Sequence, residues 1–106
     1  MFARNVSVRL KPNSAEAFTK LIQSETTPML RKHKGFQGEL TLLAASGTEA
    51  VGISLWDLKE NADAYARGGY SEIMKNLNKF VEGTPRIETY EVANSTFSTV
   101  AATVAA

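Results

Sequence analysis

Three aromatic residues, Trp56, Tyr65 and Tyr70, follow one another through a segment of mostly small and charged side chains, SLWDLKENADAYARGGY. Aromatic rings with polar tips can hold a flat aromatic substrate against an apolar surface and still form a hydrogen bond to it. Trp56 is predicted to end a strand and seal it against the next helix. Tyr65 is predicted to point toward the sheet, where it contacts either a pocket or only the core. Tyr70 follows two glycines, so it marks either a pocket mouth or a bend.

His33 is the one imidazole of the chain and the one side chain whose ordinary pKa suits a base near neutrality. It lies in a basic run with Arg31, Lys32 and Lys34. Cations favour the last turn of a helix, because the carbonyl end of the helix dipole is negative. The run therefore fits an exposed helix end, and a weak catalytic base is the competing interpretation.

Composition excludes several classes of chemistry. The chain has 106 residues, no cysteine, one histidine and a net charge of +1. Without cysteine there is no disulfide, thiolate nucleophile or cysteine-ligated metal, which fits a soluble cytoplasmic protein. No Ser/His/Asp order, phosphate loop or metal-ligand spacing is present, so neither a metal nor a cofactor is predicted. The one basic run is short, and binding to phosphates would need a broader basic surface, so no nucleic-acid partner is predicted. No apolar run approaches the roughly 20 residues of a membrane span.

The elements that position these side chains begin with an alternating strand over residues 2–10. Arg4 interrupts its apolar face, which comprises Phe2, Arg4, Val6, Val8 and Leu10. Asn5 lies on the opposite face. A capping box of Asn13 and Glu16 is predicted to open a helix over about residues 14–33. Because of Pro28, this helix should bend or restart at Thr26-Thr27-Pro28, and Gly35 should end it in the left-handed conformation.

The middle of the chain is predicted to form a hairpin of strands over residues 36–45 and 50–56. Asp57 and Glu60 have the spacing of a second capping box, which predicts a short helix over 61–67. The hairpin and this helix would place Trp56 and Tyr65 next to each other.

Glycines divide the rest of the chain. Gly68-Gly69 interrupts the second helix, Ser71 restarts it, and Gly83-Thr84-Pro85 is predicted to close it before a last strand over 86–92. The resulting order, β-α-β-β-α-β, predicts an α+β ferredoxin-like fold, a four-stranded antiparallel sheet with both helices on one face. The other face of the sheet stays uncovered and partly apolar, which predicts a partner.

The domain is predicted over residues 1–93, and the tail over 94–106 is uncharged and rich in Thr, Val, Ser and Ala. Its β-propensity suggests an arm that pairs with the other subunit, and a frayed terminus is the alternative.

Four stretches, LKPNSAEAF, PMLRKHKGFQGELTLL, ISLWDLKENADAY and PRIETYEV, together resemble the antibiotic biosynthesis monooxygenase family of dimeric α/β barrels. The resemblance covers about residues 2–93 and is specific for the fold. It implies a homodimer whose sheets face each other, each subunit keeping a pocket between its own sheet and helices.

The resemblance also implies chemistry. Some members oxidise phenols or quinols with dioxygen and no cofactor, and others degrade haem. The haem-degrading members carry a tryptophan in the second helix and, further along, a histidine that binds the haem iron. In this sequence those two positions are occupied by Tyr65 and Lys75, and the protonated amine of a lysine cannot bind iron. The cofactor-free pattern implies Tyr65, Tyr70 and His33 as candidate catalytic residues.

Substrate contacts are implied for Trp56, Arg67 and Asn5, although alignment at the following turn favours Val6 over Asn5 and thus the opposite face of the strand. The predicted function is a cofactor-independent monooxygenase acting on an aromatic phenol or quinol. The alternative is a non-catalytic dimer of the same fold that binds a small hydrophobic or aromatic molecule.

Overall fold

The computed structural model describes residues 1–96, and the predicted fold class is confirmed. Four strands within these residues pair antiparallel in the order β2-β3-β1-β4, the ferredoxin-like arrangement. The elements are β1 (Phe2–Leu10), α1 (Ala15–Leu21), a π-helical turn (Ile22–Thr26), α2 (Thr27–Arg31), β2 (Phe36–Leu43), β3 (Glu49–Trp56), α3 (Lys59–Gly68), α4 (Tyr70–Leu77), a 3₁₀ turn (Asn78–Phe80) and β4 (Val81–Glu91). The part of the predicted arm from residue 97 onward lies outside the described residues.

The core lies between one side of the sheet and the helices. Period-two alternation sends Leu10 of β1, Ala50 of β3 and Trp56 of β3 to this helix-facing side. The 3.6-residue period of the helices places apolar side chains such as Phe18 and Ile73 on the side that packs against these sheet residues. Each large apolar side chain that is fully buried contributes about 1.5–3 kcal/mol, so this packing holds both helical segments on the sheet.

The first helical segment changes its winding ahead of Pro28. A proline ring clashes with the carbonyl four residues earlier and offers no N–H. The chain forms a π-helical turn over Ile22–Thr26 and resumes α-helix at Thr27, so the helix restarts where it was predicted to bend or restart. The helix ends at Arg31, and Gly35 takes the predicted left-handed conformation in the turn that follows, with φ of 85°.

The predicted capping box at Asn13 and Glu16 is wrong. Asn13 itself adopts a left-handed conformation with φ of 61°, and Ser14 is the N-cap, without a side-chain hydrogen bond to the helix. Asparagine tolerates positive φ better than most residues, and here it serves the turn rather than the helix end.

The second predicted capping box is also wrong. Helix α3 begins at Lys59 with Leu58 as N-cap. Asp57 Oδ1 accepts hydrogen bonds from the Leu58 backbone N–H and from Asn61 Nδ2, both at 2.7 Å. A Cβ at Gly35 would overlap Asp57 Oδ1 and the Asn61 side chain. Because Gly35 has no Cβ, the turn before β2 can pack closely against these two side chains at the start of α3.

Strand β4 is longer than predicted. It begins at Val81, five residues before the predicted start, and Gly83-Thr84-Pro85 lies inside it. Pairing with β1 shifts register between Ser7 and Arg9, and Gly83 has φ of 70° at this irregularity. Because β4 is an edge strand, Pro85 and a bulge are tolerated there, and the segment bends the strand instead of ending an element.

Candidate functional site

A row of side chains crosses the helix-facing side of the sheet, one from each strand. Arg4 of β1 lies opposite Ser54 of β3 on one side and opposite Thr89 of β4 on the other. Ser54 in turn lies opposite Glu39 of β2. Neighbouring strands are about 4.8 Å apart, so the backbones of Arg4 and Glu39 are separated by about 10 Å.

A cavity of about 70 Å³ lies between this row and the helices and is partly open to solvent. A dry cavity of about 150 Å³ holds benzene in other proteins, so a ring that enters here extends into the mouth or displaces flexible side chains such as Met74. Its lining is mainly apolar and comes from α1, the π-helical turn, α2, α3 and α4 and from all four strands. The lining includes Arg4, Val6, Val8, Phe18, Ile22, Thr26, Leu30, Glu39, Ser54, Tyr65, Tyr70, Ile73, Met74, Leu77 and Val81.

The π-helical turn contributes to this lining. Ile22 and Thr26 are both buried, and both line the cavity from the two ends of the widened turn. A π-helical turn rotates the residues that follow it relative to a regular α-helix, and such turns are frequent at functional sites. The π-helical turn that precedes Pro28 therefore forms part of one wall of the site.

Arg4 is the charged group at the centre of the cavity lining. It is 7% exposed, and its Nε is buried without a hydrogen-bond partner. Its guanidinium carbon lies 4.6 Å from the centre of the Tyr70 ring and 5.8 Å from that of the Tyr65 ring. No ion pair found within residues 1–96 includes it.

Tyr65, on α3, is enclosed by other rings and is 5% exposed. The Trp56 ring stacks on it with centres 5.0 Å apart, and the edges of His33 and Tyr70 meet it at 5.3 and 6.3 Å. Burial raises the pKa of Tyr65 to about 12, although the nearby charge of Arg4 acts in the opposite direction. The hydroxyl is therefore protonated at every physiological pH, so it is available to donate a hydrogen bond and does not serve as a base.

Tyr70 begins α4, directly after the break at Gly69, and is partly buried. Burial raises the pKa of its hydroxyl, and the Arg4 charge again opposes this effect. The break in the second helical segment thus brings a second aromatic ring to the cavity, over the guanidinium. Of the two alternatives for Tyr70, the pocket position is the one this geometry favours.

Two predicted substrate contacts lie away from the cavity lining. Trp56 is 0% exposed and donates from Nε1 to Ser54 Oγ at 2.9 Å, so it supports Tyr65 from behind. Asn5 pairs with Ile53 and Glu88 on the outer side of the sheet, opposite the helices. The slip of one residue relative to Arg4 moves its side chain to the other face.

The other two candidates also do not line the cavity. Arg67 is exposed on α3. His33 is partly buried in the turn after α2, with its ring edge against Tyr65 and close to Gly69. The exposed helix end expected for His33 is therefore wrong, because the helix ends two residues earlier and the chain turns the imidazole inward.

Arg4 is the residue that sequence reasoning passed over. The alternation of β1 places Arg4 on the apolar side of the strand, where it interrupts the apolar pattern. A charged residue at an inward position of a buried strand is itself a signal, because an arginine is rarely buried without a partner. Within residues 1–96, no three histidine, aspartate or glutamate side chains are grouped to hold a metal ion, and no helix there is long and apolar enough to span a bilayer.

No protein-family model matches the sequence, and no curated protein matches it significantly. Solved structures do match. A monooxygenase from the gene ActVA-Orf6 of Streptomyces coelicolor, in complex with nanaomycin D, is 17% identical over 91% of this chain and 90% of its own, with a TM-score of 0.72. A mutant of SnoaB, a cofactor-independent oxygenase from Streptomyces nogalater, is 13% identical over 90% of this chain and 95% of its own, with a TM-score of 0.71.

A protein of unknown function from Nitrosomonas europaea is 18% identical over 91% of this chain and 92% of its own, with a TM-score of 0.74. Another structure with this fold is named antibiotic biosynthesis monooxygenase. At these identities the similarity shows the fold, which is the fold that the resemblance in the sequence implies.

Proposed function

We propose that the chain is a homodimeric, cofactor-independent monooxygenase that oxidises an aromatic phenol or quinol in the cavity between sheet and helices. The observation that carries the proposal is an apolar cavity lined by two tyrosines whose hydroxyls stay protonated. An electron-rich ring gives electrons to dioxygen once it loses its hydroxyl proton, so the protein has to supply position, dryness and hydrogen bonds. Two matched structures named as oxygenases support this chemistry as the first to test.

For a phenol with a free para C–H, the reaction balances as phenol plus dioxygen giving quinone plus water. The hydroxyl proton passes to water, and a C–O bond forms at the para carbon as the phenolate reduces dioxygen. The resulting peroxide takes up a proton. Loss of the ring C–H proton then breaks the O–O bond, leaves a second carbonyl and releases water. The ring gives up four electrons and dioxygen accepts four.

The chain's own groups have defined parts in this proposal. Tyr65 and Tyr70 donate hydrogen bonds to the developing oxyanion or peroxide, because neither gives up its proton near neutrality. His33 contacts Tyr65 and not the cavity, so it positions that ring. Trp56 stacks behind Tyr65 and has the same kind of role.

The homodimer in this proposal forms through the outer side of the sheet. That side carries partly exposed apolar residues, namely Leu40, Leu42, Val51, Ile53, Leu55 and Tyr90. A contiguous apolar surface on a sheet is stabilised when a second copy covers it. A cytoplasmic location belongs to the same proposal, and the absence of cysteine supports it.

The test is oxygen uptake by purified, metal-stripped protein with naphthols, naphthohydroquinones, anthrones and catechols, and with heat-inactivated protein as control. Labelled dioxygen distinguishes oxygen insertion, which puts the label in the quinone, from simple oxidation, which puts it in hydrogen peroxide. Tyr65→Phe and Tyr70→Phe should lower kcat. No uptake above the control with any compound would refute the enzymatic proposal, as would stoichiometric flavin, haem or metal required for activity.

One observation favours the alternative, a non-catalytic binding protein. The cavity lining within residues 1–96 contains no histidine, and its one carboxylate, Glu39, accepts a hydrogen bond from Thr41 Oγ1. Glu39 is then the one carboxylate or imidazole in this described lining that could take a proton from a ligand, and one of its oxygens is already engaged. If the chain is a binding protein, Tyr65→Phe and Tyr70→Phe should change only its affinity for the ligand. Calorimetry measures this affinity with a compound that the wild-type chain binds without turnover.

A further inference from the structure

Arg4 carries a charge that no carboxylate within residues 1–96 pairs with. Its side chain is more than nine-tenths buried, its Nε has no hydrogen-bond partner, and no carboxylate within residues 1–96 forms an ion pair with it. Glu39, the acidic residue in the same row, starts about 10 Å away by strand spacing. Taking an unpaired charge out of water costs several kcal/mol, and a residue such as methionine would fill this position without that cost.

The aromatic rings around Arg4 compensate only part of this cost. Tyr70 and Tyr65 present their rings to the guanidinium, and such contacts contribute about 0.5–2 kcal/mol. Both hydroxyls stay protonated, so neither tyrosine supplies a negative charge. The cavity is therefore a small apolar space with a positive charge in its wall, and its one carboxylate within residues 1–96, Glu39, forms no ion pair with that charge.

We propose that the cavity binds its aromatic ligand as an anion, a phenolate or an arylcarboxylate, with the guanidinium of Arg4 as the counter-charge. The ring of the ligand contacts the apolar wall, and its oxygens meet the planar fork of donors that arginine offers. This inference rests on the proposed function only in placing the ligand in the same cavity. It specifies the charge of the ligand, which holds for an enzyme and for a binding protein alike.

The experiment measures binding of two matched pairs of one-ring compounds by calorimetry under anaerobic conditions, so that no turnover is needed. The pairs are 4-nitrophenol against 4-nitroanisole, in mildly alkaline buffer where the former is the phenolate, and benzoate against benzamide. The wild-type chain should bind at least one anion about tenfold or more tightly than its neutral partner. Arg4→Met should remove this preference, bringing the two affinities within about twofold.

Arg9→Met is the matched control, because Arg9 lies on the same strand with an exposed side chain. It should leave the preference for the anion unchanged. Arg4→Lys keeps the charge without the planar fork and should give an intermediate preference, which keeps the test available if Arg4→Met fails to fold. Equal binding of anion and neutral partner by the wild-type chain, no binding of any of the four compounds, or an unchanged preference in Arg4→Met would overturn the inference.

Oxygen uptake separates this inference from the proposed function. Binding of anions that depends on Arg4, without uptake on any phenol, would refute the enzyme and support the anion site. Uptake that Arg4→Met leaves unchanged would support the enzyme and refute the anion site.

Discussion

The guanidinium of Arg4 lies 4.6 Å from the centre of the Tyr70 ring, a contact between a buried cation and an aromatic face. An aromatic face attracts a cation but does not neutralise it. The sheet thus holds a charged group at a position whose neighbours along the strand, Val6 and Val8, are apolar. Arg4 is expected to serve ligand binding at the expense of stability.

Arg4→Met is predicted to raise the free energy of unfolding by about 1 kcal/mol or more, because it removes the desolvation cost of an unpaired charge and keeps the apolar stem. Urea unfolding followed by the fluorescence of Trp56 measures this change. Arg9→Met, on the exposed side of β1, should change stability by less than about 0.5 kcal/mol. A clear loss of stability in Arg4→Met would contradict the interpretation and point to a structural role for the charge.

Alkaline pH is predicted to destabilise the fold through Tyr65. Burial raises its pKa from 10.0 to about 12. Between these values the unfolded chain releases the proton while the folded chain keeps it, so stability is fully present below pH 10 and falls as the pH rises toward 12. At about 1.4 kcal/mol per pH unit, the loss across the window is about 3 kcal/mol.

Tyr65→Phe should flatten this decline, measured as urea midpoints across the alkaline range. Tyr70 contributes in the same direction, since burial raises its pKa too, so part of the slope should remain. Tyr90 is exposed on β4, where the hydrogen bond from its hydroxyl to Glu88 raises its pKa as well, so Tyr90→Phe should remove a smaller part of the slope than Tyr65→Phe. An identical slope in wild type and Tyr65→Phe would contradict the burial argument.

Much of the fold was predictable, because it follows from local patterns. Period-two alternation predicts β1, and the pair Gly68-Gly69 predicts the break before Tyr70. The failures lie where short-range signals compete. Asn13 took the left-handed turn instead of the cap, and Gly83-Thr84-Pro85 fitted both a helix end and a bulge on an edge strand.

The site was predictable only in part. The spacing left a pocket position and a packing position open for Tyr65 and Tyr70, and both line the cavity, one from α3 and the other from α4. Arg67 and Asn5 lie elsewhere, and Arg4 was passed over. The placement of Arg4 beside the tyrosines depends on strand register and on how α3 and α4 pack on β1, and these tertiary relationships cannot be obtained from spacing along the chain.

Gly69 and Gly68 are predicted to differ sharply although they are adjacent. A Cβ on Gly69 would lie 2.5 Å from His33 Nε2 and 3.1 Å from Tyr65 Cδ1, whereas a Cβ on Gly68 meets nothing within 4 Å. Gly69→Ala should therefore cost about 1–3 kcal/mol by overpacking. Gly68→Ala should be neutral or stabilise by up to about 1 kcal/mol, because alanine favours the helix.

Urea unfolding of both variants tests this pair, and near-ultraviolet circular dichroism reports whether the packing of Tyr65 has changed. Similar stability of the two variants would mean that His33 moves aside at little cost, and His33 would then not be a positioning group for Tyr65.

The outer side of the sheet is predicted to hold the dimer together. Leu42 is 49% exposed in the single chain and lies opposite Val51 on that side. Leu42→Glu would bury a carboxylate at a two-fold interface, opposite an apolar strand, and should yield a monomer at concentrations where the wild-type chain sediments at twice 11.5 kDa. Leu58→Glu is the matched control, since Leu58 is 54% exposed but caps α3 away from the sheet, and it should remain dimeric. A wild-type chain that sediments as a monomer at every concentration, or a Leu42→Glu variant that stays dimeric, would rule out this interface.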